Sequence, residues 1–130
     1  MTRIPENDRI IMEQAIYLPM VITILNRDLA IVTSCPFKLK QPYLDLIEET
    51  MKFIQKELKE VKQYMRQQKL KVERVSHDEA FTGFLFLYKG YEEQHNYFNP
   101  RIRNKVQELL SFYLSKRYSS PNHLNSSQKG

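Results

Sequence analysis

The chain has 130 residues, 42% of them apolar, 12% aromatic and 27% charged, which fills one interior, is too little for two, and excludes wholesale disorder. A lone cysteine, Cys35, excludes an intrachain disulfide and a multi-cysteine zinc site, so stability must come from packing. The net charge of +5 admits an anionic partner, but it is unevenly spread: residues 62–74 and 101–117 each carry +4, separated by a mildly acidic 75–98.

The opening segment, Met1-Thr2-Arg3-Ile4-Pro5-Glu6-Asn7-Asp8-Arg9, is too charged for a secretory signal, and together with the single thiol it reads as cytoplasmic. From Pro5 to about Thr33, Ile10, Ile11, Ala15, Leu18, Val21, Ile22, Leu25 and Leu29 recur at three- and four-residue steps, the mark of one helix face. Ile16, Tyr17, Met20 and Ile24 widen that stripe, which predicts packing on two sides. Pro19 removes a backbone donor and clashes with the preceding turn, predicting a kink or break near Tyr17–Leu18. The apolar run Ala15–Leu25 falls short of the roughly 20 residues that span a bilayer, so it is expected to be a buried helix and no membrane partner is expected.

Ser34 to Lys40 reads as a connector. Gln41-Pro42 opens a second helix, since proline at the first helical position loses a donor that has no partner there. Leu44, Ile47, Met51, Ile54, Leu58, Val61 and Met65 then alternate steps of three and four, a coiled-coil-like heptad seam running to about Lys69. Such a helix is about 42 Å long and needs a cover along its whole length. Either the first helix folds back on it, or the same helix of a second subunit does; an interruption at Pro19 favours a homodimer. Tyr43, Leu46, Phe53 and Tyr64 broaden the apolar face.

Leu70 to Val75 reads as a short edge strand and His77-Asp78-Glu79 as a turn. Phe81 to Lys89 has apolar groups on both faces, which suits a covered strand, although Phe81, Phe84, Leu85 and Tyr88 also fit helical spacing. A β-hairpin is expected. Tyr91 to Phe98 is compatible with a short helix or an irregular arm. Asn99-Pro100 starts a last helix, marked by Ile102, Val106, Leu109, Leu110 and Tyr113 and ending near Arg117. Residues 118–130, rich in Ser and Asn, are expected to be a disordered tail on a single domain of residues 1–117.

Three stretches resemble a known family: Glu13-Gln14-Ala15-Ile16-Tyr17-Leu18-Pro19-Met20, Pro36-Phe37-Lys38-Leu39-Lys40-Gln41-Pro42-Tyr43, and Tyr88-Lys89-Gly90-Tyr91-Glu92-Glu93 running into Tyr97-Phe98-Asn99-Pro100-Arg101-Ile102-Arg103-Asn104. In these the chain is similar to the small uncharacterised YhjD-type proteins of Bacillus and its relatives. The resemblance spans most of residues 1–117 and brings no activity, cofactor or catalytic residue with it.

Chemistry-bearing motifs are sparse. Glu92 and His95 have the Glu-x-x-His spacing of helical metal sites, but His77 and His123 fall in a turn and in the tail, so no second pair exists and no metal is expected. Cys35 lacks a paired base, and three glycines cannot build a nucleotide cradle, so neither an enzyme nor a cofactor is expected. The most suggestive surface is the start of the last helix, where Asn99, Arg101, Arg103, Asn104 and Lys105 lie near the positive end of the helix dipole. Lys62, Arg66, Lys69, Lys71 and Arg74 form a companion stripe if the strands fold back. These residues suit an anion or nucleic acid; the alternative pairs Arg101 and Arg103 with Glu92 and Glu93.

The expectation is a mainly helical α+β domain: two long antiparallel helices, a β-hairpin and a C-terminal helix. It acts by protein–protein contact as a homodimer or adaptor, or else as a nucleic-acid-binding regulator.

Overall fold

A computed structural model describes residues 4–116. Its elements are α1 (Glu6–Ser34), α2 (Gln41–Gln68), β1 (Leu70–His77), β2 (Phe81–Tyr88), β3 (Tyr91–Phe98) and α3 (Asn99–Lys116). The mainly helical α+β architecture follows the expected order; the tail assigned to 118–130 lies outside the described residues.

Glu6 and Asp8 place negative charge at the start of α1, where the helix dipole favours it. Its end falls at Pro36, which disfavours helical geometry at the residue before it; Cys35 is extended, with its N–H bonded to the Val32 carbonyl. A break at Pro19 is not found: α1 runs through it as one 29-residue helix. Proline removes only its own N–H from the ladder, and the flanking Leu18 and Val21 are fully buried, so packing holds the helix on either side.

α2 begins with Pro42 in its first turn and ends at Lys69, whose left-handed φ of 60° closes the helix. It lies antiparallel to α1. Within the seam, Ile47, Ile54, Val61 and Met65 are buried, and Leu44, Met51 and Leu58 are half-buried. The unbroken α1 therefore supplies a cover along α2 from within the same chain, and the reason for assigning the seam to a second subunit falls away.

The strands form one antiparallel sheet in the order β1-β2-β3, so the expected hairpin gains a third strand where a short helix or irregular arm was anticipated. Lys89 and Gly90 both have positive φ, 48° and 93°, which makes a tight two-residue turn and returns the chain directly against β2. The register then runs from Tyr88 opposite Tyr91 to Phe81 opposite Phe98. One face, with Phe84, Phe86 and Tyr97, packs on the helices; Leu85 and Leu87 point the other way. β1 carries an irregularity between Arg74 and Ser76 that shifts its pairing with β2.

Hydrogen bonds from tyrosines to carboxylates tie the elements together. Tyr64 of α2 donates to Asp8 of α1 at 2.7 Å, Tyr97 of β3 to Glu13 of α1 at 2.7 Å, and Tyr113 of α3 to Glu57 of α2 at 2.6 Å. Each joins an apolar ring in the core to an acid on a neighbouring element.

By length and composition α1 is long and apolar enough to cross a membrane, a criterion that the core helix of a soluble protein also meets. Only 28% of its most apolar 18-residue window is buried, so much of that surface lies outside the core.

Candidate functional site: a groove between α1 and α3

A concavity of about 920 Å³ runs between the middle of α1 and the face of α3. Met20 and Ile24 of α1 and Ile102, Val106 and Leu110 of α3 give it an apolar floor. These positions follow from helical spacing: 20 and 24 share one stripe of α1, and 102, 106 and 110 share one of α3. Ile24 remains 37% exposed, a branched apolar side chain with open space beside it.

The rim comes from the end of β1 and the following turn: Arg74, His77, Asp78 and Glu79, with Arg103 of α3 facing them. Two features hold this rim. The Asp78 carboxylate accepts the Phe81 and Ala80 amides at 2.7 and 2.8 Å, and those bonds hold its carboxyl below the usual range. Asn99 is wholly committed inward: its side-chain amide donates to the carbonyls of Asp78 and Glu79, its side-chain oxygen accepts from Thr82, and its backbone N–H bonds to Ala80. The residue expected to help receive an anion is therefore a latch between the turn and α3.

The remaining basic residues do not gather on one surface. Arg101, Asn104 and Lys105 lie on another side of α3 and line a smaller cavity, about 320 Å³, with Glu13, Tyr17 and Tyr97. There, burial first and then the Glu13 bond push the Tyr97 hydroxyl well above the ordinary tyrosine range, and burial likewise raises Tyr17. Glu13 also meets Arg9 at 3.7 Å. Arg101 and Lys105 thus sit beside an acid of α1, and not opposite Glu92, which is exposed on the outer face of β3.

Lys62, Arg66 and Lys69 are exposed at the end of α2, and Lys71 pairs with Glu73 at 2.8 Å on the outer face of β1. At the rise of an extended strand, Lys69 and Arg74 are roughly 16 Å apart. The two basic blocks therefore meet only where Arg74 and Arg103 line the same groove.

The Glu92–His95 spacing loses its meaning on a strand. Residues three apart point to opposite faces, and His95 instead meets Glu93, two positions away, at 3.0 Å. Among the described residues no three His, Cys, Asp or Glu side chains converge as a metal site would need.

With this geometry established, two comparisons agree. A family model described as YhjD protein matches residues 3–118. The uncharacterised protein YhjD of Bacillus subtilis (strain 168) is 51% identical over 104 residues, covering 80% of this chain and 87% of that relative. The chain belongs to the YhjD family. No solved structure matches it.

For this YhjD-family chain, sequence reasoning located the floor of the groove but not the groove. Met20, Ile24, Ile102, Val106 and Leu110 are all visible as stripe residues, yet nothing in their spacing tells which parts of a wide stripe stay uncovered. The acids Asp8, Glu13 and Glu57 were missed as tyrosine partners, because their partners lie 56 to 84 residues away and no local pattern marks such pairs.

Proposed function

We propose that this protein is non-enzymatic and works through protein–protein contact, as a homodimer that buries the α1–α3 groove of each copy against the other. The observation that carries this reading is the groove itself: an apolar floor, with Ile24 left exposed beside it, bounded by a rim that holds both signs of charge. A two-fold axis placed through the rim would allow Arg74 and Arg103 of one copy to meet Asp78 and Glu79 of the other, so like charges need not face each other. The heptad seam is not the contact in this reading, because α1 already covers it.

Light scattering after gel filtration tests it. The wild-type chain is expected at twice the monomer mass, and Ile24→Arg, which alters an exposed position, at the monomer mass with unchanged circular dichroism. A strict monomer at high micromolar concentration sinks the reading.

A second reading, nucleic-acid binding, rests on the meeting of Arg74 and Arg103 at the same rim. It requires a duplex affinity that falls steeply with salt and is abolished by Arg74→Glu with Arg103→Glu. Asp78 and Glu79 on that rim oppose a phosphate backbone, which is why this reading comes second.

A further inference from the structure

The end of the molecule formed by the α1–α2 connector has a different composition from the rest of the surface. From Leu29 to Leu44 there is no acidic residue, while Lys38 and Lys40 add two positive charges. Leu39 is 75% exposed, the highest value among the large exposed apolar side chains, and Ile31, Phe37 and Tyr43 are each about half exposed. All four belong to one short connection and the helix turns beside it. About 42 Å of α2 separates this tip from the start of β1, so it projects at the far end of a rod.

The tip is also held in shape. Lys40 donates through Nζ to the Thr33 carbonyl at 2.8 Å, closing the end of α1, and the Phe37 and Tyr43 rings pack with centroids 5.3 Å apart. Beside it lies a mostly apolar cleft of about 290 Å³ lined by Ile31, Val32, Tyr43, Leu110 and Leu114, with Asp28 at its α1 side.

We propose that this tip docks on an anionic lipid bilayer, with Leu39 and Phe37 entering the acyl boundary while Lys38 stays at the headgroups. Aromatic and aliphatic groups alternate with lysines, and a tyrosine stands beside them; an interface that is apolar inside and negatively charged at its surface rewards that combination. The sixteen positions from Leu29 to Leu44 carry no acid of their own, and the acids that bound them, Asp28 and Asp45, lie on the helices behind the connector, so the connector itself presents only positive charge. The connector is an outermost turn, not a groove, so its apolar groups are presented outward to a deformable surface. The proposal is independent of the dimer reading, which uses the α1–α3 groove.

Co-sedimentation with vesicles tests it, comparing phosphatidylcholine alone with a mixture in which about a third is phosphatidylglycerol. The intact chain is expected to pellet with the anionic vesicles and to be released by salt. Phe37→Ser with Leu39→Ser is expected to lower partitioning by about tenfold or more, and Lys38→Glu to lower it on anionic vesicles, with circular dichroism unchanged in each. Ile24→Arg is expected still to pellet with anionic vesicles, less tightly by the avidity of the lost second tip, which separates this outcome from failure of the dimer reading. The proposal is overturned if the intact chain does not pellet with anionic vesicles, if it pellets equally with neutral ones, or if the Phe37/Leu39 variant binds undiminished. It is equally overturned if that variant loses self-association while vesicle binding is untouched, since the tip would then be a protein contact.

Discussion

Tyr97 is an aromatic side chain of β3 with its ring in the core, stacked with Phe86 and edge-on to Phe84, and its hydroxyl reaches Glu13 across 84 residues of chain. A hydrogen bond to a charged acceptor contributes more than a neutral one, and removing the donor leaves the acid half-buried without it. Tyr97→Phe is expected to cost about 1–2 kcal/mol in urea unfolding while leaving the helical signal unchanged. Tyr113→Phe, which releases Glu57, should cost a similar amount by the same measurement. Neither bond is legible in the sequence, where Tyr113 counts only as a stripe residue of the last helix and Tyr97 only as an aromatic of the 91–98 segment.

At the scale of elements, two turns hold non-glycine residues at positive φ. Lys69 closes α2 at 60°, and Lys89 starts the β2–β3 turn at 48°. Both geometries favour residues without a Cβ penalty or with a short polar side chain. Lys89→Asn, which creates the Asn-Gly pair that a turn of this kind prefers, and Lys69→Gly are each expected to stabilise the fold by about 0.5–1 kcal/mol, read as a raised melting temperature. Within α2, Ile54 is fully buried, so Ile54→Ala should cost about 2–5 kcal/mol. A dimer at any surface makes the midpoint depend on protein concentration, so the seam is tested in the Ile24→Arg background: there the Ile54→Ala loss is expected to be independent of concentration, and a remaining dependence would place a second copy on the seam. β2 was legible as a strand from its aromatic and apolar run with Gly83 and Gly90, whereas β3 was not, because Tyr91 to Phe98 is mostly polar and becomes a strand only when the Lys89–Gly90 turn lays it against β2.

Across the whole molecule, the tyrosines give the stability a characteristic pH dependence. Tyr17, Tyr88, Tyr97 and Tyr113 are raised chiefly by burial, and Tyr64 chiefly by its bond to Asp8, with the Asp8 charge also adding to Tyr88. A phenol whose folded-state pKa lies above its unfolded value contributes fully below about pH 10, and the contribution is lost as pH rises through the folded value. Chemical denaturation from pH 9 upward should therefore show a steep alkaline loss, shallower in Tyr97→Phe. Asp78 acts in the opposite sense: its lowered carboxyl contributes above the ordinary aspartate range and that contribution is lost as pH falls through the lowered value, so Asp78→Ala should flatten the acid limb.

The sequence by itself determined the three helices, the central strand and the heptad stripe, because helical and strand periodicity and proline or glycine punctuation are local properties of the chain. Tertiary structure alone decided that α1 continues through Pro19, that it covers the seam, and that Arg74 and Arg103 meet while Arg101 and Lys105 turn towards Glu13. Those outcomes depend on which faces of separate elements come together, and residues about 30 to 90 positions apart leave no spacing rule in the chain to announce it. The groove and the exposed tip are what remain uncovered after that packing, and for that reason they became visible only in three dimensions.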